Sequence, residues 1–162
     1  MDYLWTPWRY HYVTTPGKPS DCVFCTAARS AEDETHFVVY RAKYNFIILN
    51  RFPYTSGHIM VVPYAHVRQM DALEDEALVE LIRLTRECEQ RLNELYEPDG
   101  LNIGMNLGKS AGAGVADHIH MHVMPRWTGD TSFITTVSET RILPELLEVT
   151  WQRLSRAFGK TI

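Results

Sequence analysis

The chain has 162 residues, 45% of them hydrophobic and 22% charged; that is the size and make-up of one folded domain and excludes a disordered or low-complexity protein. Sixteen Lys and Arg against twenty Asp and Glu give a net charge of -4, without the basic excess that duplex nucleic acid requires, so a phosphate-bearing ligand has to be held locally. No apolar run nears the roughly eighteen residues of a membrane span, and the opening MDYLWTPWRYHYV carries aromatics and charges where a secretory leader is apolar, so a cytoplasmic protein with neither membrane nor nucleic acid as partner is expected.

Residues 1–21 read as an arm, with Trp5, Trp8, Tyr10 and Tyr12 for packing and Pro16, Gly17 and Pro19 for a turn. Three apolar runs, Phe37–Tyr40, Phe46–Leu49 and His58–Val62, predict strands, most simply antiparallel neighbours. Between Asp71 and Tyr96 apolar residues from Leu73 to Leu95 recur every three or four positions, with Glu and Arg opposite, which predicts the main amphipathic helix. Cys88 falls on its apolar side as a small core residue, and Glu87 and Arg91 pair on its solvated side. Pro98-Asp99-Gly100 stops it, and a strand follows over residues 101–106. Asp117–Met124 predicts a further strand ending at Pro125, Phe133–Thr135 a short one, and Pro144–Phe158 a second helix. Strands, a crossing helix and returning strands make this an α+β protein with a mostly antiparallel sheet. Neither a dinucleotide-binding glycine fingerprint nor a P-loop is present.

Within His118-Ile119-His120-Met121-His122-Val123-Met124 the two-residue period of a strand puts the three imidazoles on one face and the apolar side chains on the core face. Such a cluster suits either a catalytic zinc with an open position for water or a nucleophilic imidazole that forms a phosphoramidate at phosphorus. The loop directly ahead, Asn106 to Gly114, favours the second: its small residues let backbone N–H groups approach phosphate oxygens, and Lys109 and Ser110 add donors. Cys22 and Cys25 enclose Val23 and Phe24, which look like packing residues, so the pair suits half a metal site better than a redox centre. With no second pair present, histidines have to complete it. The tryptophans, Trp127 and Trp151 among them, read as core or interface anchors, with Trp8 or Phe46 as the alternative base-stacking residues.

The motif running from His118 to Met124, followed by Pro125 and Arg126, resembles the histidine triad (HIT) nucleotide-binding family, as does the stretch NRFPYTSGHIMVVPYAHV over residues 50–67. The N-terminal LWTPWRY and the stretch PRWTGDTSFIT are similar to the bacterial branch that includes diadenosine tetraphosphate phosphorylases, also called ATP adenylyltransferases. The resemblance implies one HIT domain over 1–162: the arm over 1–21, a core over about 22–130, and a closing strand and helix over 131–162. It implies an antiparallel sheet of about five strands with two helices, joined to a second sheet across a homodimer.

By position, the resemblance makes His120 the nucleophile that takes up a nucleoside monophosphate, with His122 and His118 as its catalytic neighbours. Asn50 falls at the ribose contact, His58 next to the phosphate site, and Asn106, Lys109, Ser110, Gly112 and Gly114 border the phosphates. Relatives place a Gln, Ser or Thr shortly before the first histidine; here Gly114 and Val115 stand there and the loop is one residue longer, which passes the donor role to backbone N–H groups, Lys109 or Ser110. In zinc-bearing relatives the ligands map to Cys22, Cys25, His66 and His118, a closed structural zinc site with no organic cofactor. The activity implied is a phosphorylase acting at the α-phosphorus of a dinucleoside polyphosphate. A hydrolase of the same family is the alternative, ahead of a zinc-centred hydrolase or a binding module without turnover.

Overall fold

The structure, a computed structural model, describes residues 22–131, 133–137 and 143–160. The aromatic arm with Trp5 and Trp8 lies outside them. In chain order the elements are helix α1 (Val23–Arg29), the single turn α2 (Asp33–His36), strands β1 (Val38–Arg41), β2 (Asn45–Leu49) and β3 (Ile59–Pro63), helix α3 (Asp75–Tyr96), strands β4 (Gly100–Gly104) and β5 (Met121–Arg126), the short α4 (Phe133–Val137), and α5 (Leu147–Ala157). The strands form one antiparallel sheet in the order β1-β2-β3-β5-β4. It is the expected α+β architecture with five strands.

The two faces of the sheet have different covers. Val39, Ile47, Leu49, Ile59, Val61 and Val123 meet Leu81, Leu84, Cys88 and Leu92 of α3 and Trp151 and Leu154 of α5, which makes the main core. Trp151 is an anchor there, its indole N–H donating to the carbonyl of Val38 at 2.9 Å. The alternate residues Val38, Phe46, Ile48, Met60 and Val62 face the other way and are covered by Phe24 and Ala27 of α1. Phe46 is fully buried and stacks on Tyr64, so it is a core residue and not a base-stacking one.

Two local devices hold α3 to the sheet. The Glu80 carboxylate accepts hydrogen bonds from the backbone N–H groups of Lys43, Tyr44 and Asn45 and from the Asn45 amide, closing the turn between β1 and β2 onto the helix. Burial pushes this carboxyl up, but the Asn45 amide and those backbone donors outweigh it and hold the group below the usual range. At the other end Gly57, in the left-handed region at φ 79°, leaves a gap of only 3.2 Å from a built Cβ to Leu92, Tyr96 and Pro125. A side chain there would be strained by that φ and would crowd these three side chains of α3 and β5.

Two expectations are corrected. Phe133–Thr135 belongs to the short helix α4 and not to a strand: Arg126 forks onto Asp130 just past the end of β5, and among the described residues no strand pairs with this segment. The strand expected from Asp117 starts only at Met121. Ahead of it the backbone spends its hydrogen bonds elsewhere, the N–H of Ile119 donating to the carbonyl of Val67 at 2.8 Å. Besides the two long helices expected, the described residues hold three short ones, of which α1 carries a cysteine.

Removing the Glu80 carboxylate leaves several N–H donors without an acceptor. Glu80→Ala is expected to cost roughly 1–3 kcal/mol, read as a lower urea midpoint with an unchanged m-value.

Candidate active site and metal centre

The end of β3, the approach to β5 and helix α1 converge on one side of the sheet, and backbone groups fix what each imidazole presents there. His118 is fully buried, and its Nε2–H donates to the carbonyl of Pro63 at 2.8 Å. A carbonyl only accepts, so in the neutral ring the lone pair sits on Nδ1. That atom lies 3.3 Å from the Cys22 Sγ and 3.6 Å from the Cys25 Sγ. The carbonyl of His118 in turn accepts from Nδ1–H of His120 at 2.9 Å, which leaves the lone pair of His120 on Nε2.

His122 is set from further off. The backbone N–H of Tyr54 donates to Nδ1 of His58 at 3.2 Å, so His58 carries its proton on Nε2 and donates to Nδ1 of His122 at 2.9 Å. His122 therefore keeps an N–H at Nε2. The ring of Tyr54 lies against both His58 and His122. The result is a pair, a bare nitrogen on the buried His120 and an N–H on the half-buried His122, with ring centroids 4.8 Å apart. Of the three triad imidazoles His118 and His120 are buried and His122 is half-buried.

Burial holds all three below the ordinary histidine value. For His120 it outweighs the bond to the His118 carbonyl; for His118 it outweighs the bond to Pro63 and is reinforced by His66 and His120; for His122 burial and the neighbouring His120 bring the value down to about 4. The rings are neutral at pH 7, as a nucleophile and a hydrogen-bond donor to a leaving group need.

One ligand atom each from Cys22, Cys25, His66 and His118 falls within 4.8 Å of the others. The Cys25 Sγ and the His66 Nδ1 are 3.2 Å apart. Tetrahedral zinc with sulfur and nitrogen ligands separates neighbouring donors by about 3.3–3.8 Å, so the four residues fit such an ion, with the lone pair of His118 already aimed at it. The other two triad histidines commit their Nδ1 atoms elsewhere, one to a carbonyl and one to His58.

Asn50 uses its side chain to hold the turn before β3, accepting from the N–H of Phe52 at 3.0 Å and lying 3.4 Å from Nδ1 of His58. Lys109 and Ser110 sit exposed on a turn of 3-10 helix that Gly112 closes at φ 89°, and Gly114 is exposed just before Val115, which packs beside α1. Asn106 is half-buried at the start of that loop. A cleft of about 630 Å3 runs from His66 and Arg68 to Leu107 and Gly108, beside the cysteine–histidine cluster. A second, of about 750 Å3, extends from Tyr54 to Met124, Trp127 and Tyr96. The link from Tyr54 through His58 to His122 was not legible in the sequence, where 64 residues separate the two histidines.

A family model described as HIT domain matches residues 31–129, and the chain belongs to that family. A relative named AP-4-A phosphorylase, from Mycobacterium tuberculosis, is 36% identical over an alignment covering 99% of this chain and 86% of its own. The asymmetrical bis(5'-nucleosyl)-tetraphosphatase of Schizosaccharomyces pombe is 32% identical over 59% of this chain and 52% of its own. Among solved structures, a zinc-bound histidine triad family protein from Mycobacterium smegmatis superposes with a TM-score of 0.67 at 28% identity, covering 86% of this chain and 94% of that one.

Two measurements follow from this geometry. Metal analysis is expected to find about one zinc per chain, Cys25→Ser to lower the affinity for it, and chelation to lower Tm by roughly 5 °C. The depressed imidazoles also make stability pH-dependent. Between pH 6.5 and about 4 the unfolded chain binds protons that the folded His122 refuses, so stability falls on acidification through that window and is restored above it. Tm is expected to drop between pH 7 and 5, and to drop less in His122→Gln.

Proposed function

We propose that this chain is a nucleotide-processing enzyme that works through a nucleotidyl-histidine intermediate, and that it is a diadenosine tetraphosphate phosphorylase. The observation that carries the reading is the bare Nε2 of His120 next to the Nε2–H of His122, both set by backbone groups. The near-full-length likeness to a protein named AP-4-A phosphorylase supports the substrate class.

In the first half-reaction Nε2 of His120 attacks the α-phosphorus. The bond from that phosphorus to the bridging oxygen breaks, and ATP leaves as its anion, with the Nε2–H of His122 hydrogen-bonded to the departing oxygen. AMP stays on His120 as a phosphoramidate. In the second half an oxygen of inorganic phosphate attacks the same phosphorus, the N–P bond breaks, and ADP departs while the imidazole returns to its neutral form. His118 acts through its carbonyl, which holds the His120 ring, and backbone N–H groups of the 106–114 loop with Lys109 and Ser110 balance charge on the phosphoryl oxygens. Asn50 serves the ribose side, and His58, next to the phosphate site, holds the His122 ring. Zinc at Cys22, Cys25, His66 and His118 would supply structure, tying α1 to the histidine strand.

The same reading makes the protein a cytoplasmic homodimer. The described residues hold no helix long and apolar enough to cross a membrane. Among the described residues the outer edge of β4 is unpaired, and Ile103 on it is 46% exposed, which supports a second copy there.

The likeness to the tetraphosphatase gives the competing outcome a definite form, water in place of phosphate as acceptor. Diadenosine tetraphosphate incubated with the protein is expected to yield ADP and ATP only when phosphate is present, and His120→Ala to lose at least about a thousandfold in rate. AMP and ATP without phosphate make it a hydrolase. His122→Ala is expected to fall by roughly 100- to 10,000-fold. Unchanged turnover in His120→Ala would remove the nucleophile from this account.

A further inference from the structure

Helix α1 does more than carry metal ligands. Cys22 stands at its N-cap and Cys25 inside its first turn, and between them Phe24 turns inward, 4% exposed. The Phe24 ring lies 4.9 Å, centroid to centroid, from that of His120 and 5.4 Å from that of His118. It touches a proposed metal ligand and the proposed nucleophile at once. His120 has a hydrogen bond at one edge and the His122 ring on another side; Phe24 supplies the remaining wall against which the imidazole is packed. A ring held by one bond alone still swings, and a nucleophile displaced by an ångström loses orders of magnitude in rate.

The helix that presents this wall cannot hold itself. Seven residues fall well short of a helix stable in water, and no side chain caps its N-terminus. It is staked at its two ends. At one end are the thiols. At the other the Arg41 guanidinium, rooted in β1, donates to the carbonyls of Ala28 at 2.8 Å, Ala27 at 2.9 Å and Ser30 at 2.7 Å, and to Asp33 at 2.8 Å. Removing either stake frees the segment that carries Phe24.

We propose that Phe24 is the positioning residue of the nucleophile, and that through it the Cys22–Cys25 helix makes the set of His120 depend on whether the metal site is filled. The inference rests on the reading of His120 as nucleophile. It assigns the metal ligands a part in the rate of nucleotidyl transfer, exerted through an aromatic contact and not through chemistry at the ion.

The test is a cycle of four states: wild type and Phe24→Ala, each zinc-loaded and chelated, with Phe24→Leu as the variant that keeps most of the apolar volume should the alanine chain not fold. Rapid-quench mixing with diadenosine tetraphosphate measures formation of the His120 adduct, and competition with a chromogenic chelator measures zinc affinity. In the zinc-loaded state Phe24→Ala is expected to form the adduct about 10- to 100-fold more slowly with an unchanged dissociation constant for AMP. The nitrogen resonances of His120 should broaden while those of His58 stay sharp. Zinc affinity should fall about tenfold, and chelation, which slows the wild type, should slow the variant little further. An adduct rate within about twofold of wild type in the folded, loaded variant overturns the proposal, as do mutation and chelation effects that simply multiply. A wild type that forms no adduct at all sinks the nucleophile reading itself, and this inference with it.

Discussion

The hydrogen bond from the His118 ring to the carbonyl of Pro63 is the constraint on which the rest of the site depends. It spends Nε2 on the last residue of β3 and so turns the other nitrogen to the thiols of α1. It also fixes the peptide of residue 118, whose carbonyl then accepts from His120 and leaves the outer nitrogen of that ring bare. Had the His118 ring been flipped, the cysteines would face a different edge of it. Two backbone carbonyls, those of Pro63 and His118, thus set the tautomers of His118 and His120, because a carbonyl has no proton to give.

Most of this was legible from residue types and spacing, and what was not has physical reasons. The strands, the long helix and the buried Cys88 follow from periodicities that survive any partner, since burying an apolar stripe is a local requirement met by whatever lies opposite. The motif at 118–124 and the pairing of Cys22 and Cys25 with His66 and His118 could be placed by resemblance. The helical turn that holds the cysteines could not, because seven residues have no period to read and its order comes from Arg41, a residue on another element. Phe24 was legible as a packing residue, but its partner in contact is a ring nearly a hundred positions away. The segment at Phe133 misled because β-branched side chains report a liking for a pleated surface and say nothing of whether one is on offer.

Charge plays a smaller part in the site than in its frame. The triad is kept neutral by desolvation, whereas the fixed ion pairs lie around it, where Arg126 forks onto Asp130 behind β5 and Arg153 meets Glu145 beside Tyr96. Arg126 also donates to Asn102 on β4. Its cation is committed to shaping the turn that carries Trp127, so the strand bearing His122 ends in a corner that this fork holds.

The ion pair between Lys160 and Asp33, 2.7 Å long and joining positions 127 residues apart, has a bearing on how the protein is made. Asp33 steadies the Arg41 guanidinium, and Arg41 steadies α1. On a ribosome the cysteine helix, β1 and the histidine strand all emerge before Lys160, so the brace behind the helix is completed by nearly the last residues described. Until then the thiols sit on a segment without its full support, in a chain whose sheet already has four of its pairings within reach. The support behind the cysteine helix is therefore incomplete until the end of α5 has been made, whatever the order in which the strands pair.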